Sequence, residues 1–263
     1  MTDIKLCTQI PLDPELQAWA DELSVWENPG NNPHPNGYNT QTHGQHAAAP
    51  VKRLWSNNRQ VRVRINRGCS DKIKRKIKRY AQEWNNHSGV KFVFVESGDA
   101  EVRVNVNRDG PTWSCIGTEC LAIPQDQATM TFGWLTDTTQ EMEFARVILH
   151  EFGHALGFIH EHQSPVAGIS WNTERVYAYY ADRYGWSTDL VDQNIFSYYH
   201  YPHKKASHGD DWRMSSFDSL SIMTYAIPVS LTTNGFFTAP NTRLSRDDKD
   251  FVAYLYPPNS AMS

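Results

Sequence analysis

The most constraining feature of this chain is the run from His150 to His160, spaced His-Glu-x-x-His-x-x-Gly-x-x-His. Residues four apart on a helix lie on nearly one face, so the imidazoles of His150 and His154 can reach a single ion. Glu151, about 100° further around, addresses the remaining coordination position rather than the metal. Gly157 can take the left-handed conformation that ends a helix and turns the chain sharply, which brings His160 back toward the same ion. Three protein ligands with one position left open is the arrangement zinc uses for hydrolysis. Chance is a poor competitor: the short motif arises about once in 8,000 starts, and requiring Gly157 and His160 as well lowers that roughly another 400-fold. Gly153 within the motif weakens a helix relative to alanine, and close packing beneath the site is the expected reason.

The helix carrying these residues should begin near Thr138 or Thr139, either able to cap it. Glu141 and Glu143 stand in its first turn, where the helix dipole favours acid. Upstream, Val61, Val63 and Ile65 alternate with arginines as a half-buried strand does. Ser70 is placed to cap a helix whose Ile73, Ile77, Tyr80, Ala81 and Trp84 recur at helical spacing. The basic run Lys72–Arg79 is read as the solvated face of that helix. Val90–Val95, Ala100–Val106 and Thr129–Trp134 read as further strands. Strand, helix, several strands, then helix predicts an α+β fold, one sheet covered by helices.

Residues 1–27 hold Leu12, Leu16, Trp19, Leu23 and Trp26 at helical spacing, and 28–50 turn to Asn, Pro, Gly, His and Gln. The expected organisation is therefore an N-terminal extension over 1–50 and a catalytic domain over 51–263. The 263 residues are 40% hydrophobic and 21% charged, with a net charge of −4. That balance disfavours nucleic-acid and membrane partners; the hydrolytic zinc motif makes a protein or peptide the expected partner, and a monomer is expected. No apolar run is long enough to cross a bilayer, and the first residues lack the apolar core of a signal peptide, so the compartment stays open. Cys7, Cys69, Cys115 and Cys120 are too few for a disulfide scaffold. Cys115 and Cys120 could bridge a tight turn, but two buried thiols are the reading taken.

With these residues in view, the chain resembles the metzincin zinc peptidases, and among them the astacins. Ser221-Ile222-Met223-Thr224-Tyr225 is similar to the methionine turn of the astacin branch, and Glu161 directly after His160 also fits. Trp113-Ser114-Cys115-Ile116-Gly117 resembles the edge strand that pairs with substrate. Leu244–Asp248 with Leu255–Pro257 is similar to the closing helix of matrixins and microbial astacin-like peptidases. The N-terminal Cys-Thr segment and Glu27-Asn28-Pro29 look closest to that microbial branch. After Glu161 comes His162-Gln163-Ser164-Pro165, without the arginine and aspartate of animal astacins. The resemblance implies a metzincin-type fold with two lobes. The upper would hold a twisted, mostly parallel sheet and two long helices; the lower would be irregular. It implies one Zn2+ on His150, His154 and His160, Met223 beneath it, Gly157 at the turn, Tyr225 facing the oxyanion, and substrate along Trp113, Ser114 and Cys115. Charge placement makes Glu151 the general base.

Two rivals arise from the same residues. Glu174, in an expected helix Asn172–Asp182, stands where a thermolysin-like third ligand would, but leaves Gly157, His160 and the methionine turn unexplained. A zinc-stabilised protein- or glycan-binding module is the other, against which the intact Glu151 argues. Cys7 could cap the metal as an inhibitory thiolate. His34, His43 and His46, and the tract of His200, His203 and His208 with Lys204 and Lys205, read as solvated loops.

Overall fold

The computed structural model describes residues 5–32, 49–66, 68–108, 110–164, 167–196, 212–213 and 217–258. The histidines and lysines of the two polar tracts, at 34, 43, 46, 200, 203–205 and 208, lie outside them. Helix α1 (Pro14–Glu27) leads to the short strand β1 (Ala49–Pro50), then to β2 (Gln60–Ile65), α2 (Asp71–Asn85), β3 (Lys91–Val95), β4 (Val102–Val106), β5 (Trp113–Ser114), β6 (Met130–Phe132) and α3 (Glu141–Ala155). Beyond α3 come α4 (Thr173–Tyr184), α5 (Thr188–Val191), β7 (Trp212–Arg213) and α6 (Arg246–Leu255). The main sheet has the order β3-β2-β4-β6-β5. Its first four strands are parallel, and β5 closes one edge antiparallel to β6. β1 pairs separately with β7.

Two apolar clusters divide the molecule. The larger joins the sheet to α2, α3 and α6 through Val61, Val63, Ile77, Trp84, Phe132, Ile148, Phe152 and Phe251. The smaller, on the far side of the site, gathers Val176, Tyr180, Val191, Ile195, Tyr225, Ile227 and Leu231, with Cys7 among them. This is the α+β, two-lobed fold expected, with one addition: α6, far along the chain, packs in the upper lobe beside the two long helices. α2 is capped by Ser70 as its sequence predicts, and the five residues of its expected apolar stripe are all buried.

Two expectations change. The Leu/Trp stripe of the first helix is not its buried face: Trp19 and Trp26 are 51% and 86% exposed, and Ala20 and Ser24 are buried instead. The reason is close approach. α1 lies on the turn Gly117–Leu121, where only small side chains fit, and Ser24 joins a buried network with Thr118, Asn31 and the Lys52 carbonyl. α3 begins at Glu141 after Gln140, which makes no side-chain cap, because Thr139 spends its hydroxyl on the Thr136 amide in the preceding turn. All four cysteines are buried free thiols, so Cys115 and Cys120 do not bridge their turn. Among the described residues no helix is long and apolar enough to cross a membrane.

Candidate metal centre and active site

Helix α3 supplies His150 and His154 from one face, and its ending is built to bring in a third ligand. Gly157, at φ +95°, takes the conformation that side chains disfavour, and its amide bonds the His154 carbonyl at 2.8 Å. The chain then reverses and His160 enters from below. The His154 Nε2 and His160 Nε2 atoms stand 3.2 Å apart, and the ring centroids of His150 lie 4.8 Å and 5.2 Å from those of His154 and His160. Cys7 completes the group. Its Sγ is 3.1 Å from His150 Nε2, 3.2 Å from His160 Nε2 and 3.9 Å from His154 Nε2, and the four ligand atoms lie within 4.8 Å of one another.

The second nitrogens decide which way the lone pairs point. His150 Nδ1 donates to the Ile222 carbonyl and His154 Nδ1 to the Phe158 carbonyl, both at 2.8 Å. Carbonyls accept only, so these protons sit on Nδ1 and the Nε2 lone pairs face the shared centre. Burial holds His150 and His160 well below the usual imidazole range and His154 at about 4, so the rings are neutral, the form that ligates. Burial, then the charge of Glu151, pushes the Cys7 thiol well up. Three neutral nitrogens and a sulfur crowded into a dry site without carboxylate ligands suit a zinc ion in tetrahedral coordination.

The turn beneath the site is held from α6. Asp248 accepts from the Ser221 hydroxyl at 2.7 Å and from the amides of Ile222 and Ser245 at 2.9 Å each. Ser221 Oγ in turn accepts the Met223 amide at 3.0 Å, and the Met223 carbonyl accepts the Glu161 amide at 3.1 Å. Fully buried Met223 lies directly under Gly153 of α3: a Cβ there would come 2.4 Å from its sulfur. Packing is therefore why the motif carries glycine at this position. Glu151 is fully buried, which raises its carboxyl to about 8 against the pull of the Cys7 thiol and Arg146. Tyr225 lays its ring 4.3 Å from that of His160 and donates its hydroxyl to the Cys7 carbonyl at 2.6 Å.

The family model for the astacin peptidases matches residues 47–238. This chain belongs to the astacin family. It is a zinc-dependent metallopeptidase, a hydrolase of the metzincin type with the fold that implies. Among solved structures it is similar to myroilysin, at 42% identity over 81% of this chain and 100% of that one, with a TM-score of 0.74. A second myroilysin crystal structure is 40% identical over 78% of this chain and 86% of that one, with a TM-score of 0.57. None of the curated proteins compared by sequence matches.

β5, with Trp113 half-buried and Ser114 buried, and with buried Cys115 just after it, is the sheet edge beside the site. Its preceding residue, Thr112, offers a carbonyl that accepts the Thr8 amide at 2.9 Å. Glu174 is exposed in the first turn of α4 and stands apart from the ligand group, so the thermolysin-like alternative finds no support in an astacin-family chain. His162 is close but not convergent: its ring stacks on His160 at 5.2 Å and its Nε2 faces the Asn194 carbonyl at 3.0 Å. Sequence reading missed the role of Asp248, whose organising bonds are mostly long-range, and the contact of Arg146, which reads as an ordinary polar position of α3 but donates to the Lys5 carbonyl at 2.7 Å.

Proposed function

We propose that the protein is a latent zinc endopeptidase, with one ion on His150, His154 and His160 and the thiolate of Cys7 in the fourth position. The observation that carries this reading is the convergence of those four ligand atoms, with two of the imidazoles locked by carbonyls behind them. Zinc bound there supplies Lewis acidity toward water and a peptide carbonyl. Glu151, buried beside His150, takes the proton of the attacking water and delivers it to the leaving amine. Tyr225 donates its hydroxyl to the developing oxyanion once the Cys7 carbonyl has left it. Substrate lies extended along the edge strand at Trp113, Ser114 and Cys115, in the manner of an added strand. Gly157 and Met223 hold the ligands in place.

The path of the N-terminal segment supports latency. From Lys5 to Gln9 it crosses the site, anchored by Arg146, Tyr225, Thr112, Asn194 and Gln193, while α1 beyond it is tied into the upper lobe. A sulfur with three imidazoles is also what a purely structural zinc site would show. Cys7→Ser separates the two readings. The variant should keep one zinc per chain and cleave casein in a chelator-sensitive way, at least tenfold faster than the unaltered protein. Adding Glu151→Gln to it should keep the zinc and lose at least 100-fold in kcat. A zinc-loaded Cys7→Ser protein without activity would favour the binding module, and retained activity in the double variant would refute Glu151 as base.

A further inference from the structure

We infer that Arg146 is a substrate-anchoring residue of this site, whose guanidinium receives a main-chain carbonyl of the bound peptide; the inference rests on the peptidase reading above. Arg146 stands one helical turn before His150 on α3, so the two side chains share a face. Its guanidinium is fixed from behind. Nε and Nη2 donate to the two carboxylate oxygens of Glu143 at 2.7 Å each, and the indole Nε1 of Trp134 donates to the same Glu143 at 2.7 Å. The arginine side chain is only 15% exposed. Such a two-point pair sets the plane of the fork and compensates its charge.

The fork has donors left over, and one is in use. Nη2 donates to the Lys5 carbonyl at 2.7 Å, two residues before the thiol that sits on the imidazoles. The Lys5 ammonium meanwhile lies 5.8 Å from the centre of the Trp134 ring. Arg146 and His150 line one pocket, together with Leu6, Val147, Ile222 and Tyr225. Between Lys5 and Thr8 the segment is thus held at three main-chain stations, before the two on Gln9: Arg146 on the Lys5 carbonyl, Tyr225 on the Cys7 carbonyl and the Thr112 carbonyl on the Thr8 amide. None of the three reads a side chain. A peptide that replaces the segment meets the same donors and acceptor, and because Glu143 already compensates the arginine, a neutral carbonyl fits it better than a carboxylate. The ligand class is accordingly an extended peptide reaching at least two residues past the one over the metal, selected by length and backbone rather than by acidic side chains.

Two measurements test this. In the intact zinc-loaded chain, Arg146→Met should speed the reaction of Cys7 with an aromatic disulfide reagent about tenfold. Arg146→Lys should fall between, and Cys7→Ser serves as the blank for the other thiols. In the Cys7→Ser background, kcat/KM should be compared for a peptide that spans the arginine and for one truncated to stop short of it. Arg146→Met should lower the long-to-short ratio about tenfold, mainly through KM. Equal labelling rates with an unchanged ratio would overturn the inference. If Cys7→Ser hydrolyses nothing, the peptidase reading fails while the labelling still decides whether Arg146 holds this backbone. If Arg146→Met does not accumulate folded, Arg146→Lys is read by the same two criteria.

Discussion

Gly153 shows how a single missing methyl positions a metal site. On an exposed helix alanine is about 1 kcal/mol better than glycine. Here the added Cβ would meet the Met223 sulfur at 2.4 Å and Trp84 at 3.3 Å, in a fully buried place. Overpacking of that kind costs about 1–3 kcal/mol. Gly153→Ala is therefore expected to lose about 1–2 kcal/mol in urea unfolding and to bind zinc more weakly, and Gly153→Ala with Met223→Ala should recover part of the affinity. A variant as stable and as tight as the original would contradict the packing argument. The sequence announced this glycine as anomalous; its contact partner, far along the chain, could be identified only in the fold.

At the scale of elements, the strands are tied by charge as well as by hydrogen-bonded ladders. Glu101, just before β4, accepts the Arg62 amide at 2.7 Å and the Arg62 guanidinium at 2.9 Å, and Arg59 also reaches it at 3.3 Å. Burial pushes its carboxyl up, but the bonds from Arg62 prevail and hold it below the usual range. A carboxyl with a lowered folded pKa stabilises above its unfolded value and loses that contribution as pH falls through the folded one. Glu101→Gln should cost about 1–2 kcal/mol at neutral pH, a modest figure because both arginines are partly exposed. The difference from the unaltered protein should shrink below the ordinary carboxylate range and vanish in stronger acid. A pH-independent difference in melting would remove the ionic explanation. α2 and β2 were legible in the sequence because their periodicities are local. α1 was legible as a helix but not in its orientation, since Trp19 and Trp26 face outward and its small Ala20 and Ser24 are the buried ones where it meets Gly117–Leu121.

Across the whole molecule, the candidate metal centre is where separate pieces of chain meet. The ligands come from α3, from the segment after Gly157 and from the N-terminal segment, and the turn at Met223 ties them to α6 through Asp248. Binding to the folded state alone stabilises by about 3–4 kcal/mol when the ion stands at roughly 100 to 1,000 times its dissociation constant. Removing zinc with a chelator should lower the calorimetric melting temperature by several degrees, and the shift should be smaller in Cys7→Ser, which lacks one ligand. No shift on chelation would mean that the ion does not join these pieces.

From the sequence alone came the zinc-binding motif, the class of fold and the family, because a helical repeat of four, a helix-ending glycine and a methionine turn are written within short stretches of chain. The tertiary structure decided what lies far apart in sequence: that Cys7 reaches the imidazoles, that Asp248 organises the methionine turn, and that Arg146 faces the segment crossing the site. The reason is physical. Local geometry is set by neighbouring residues, whereas the meeting of distant ones depends on how the two apolar clusters pack and on where that packing leaves the polar groups between them.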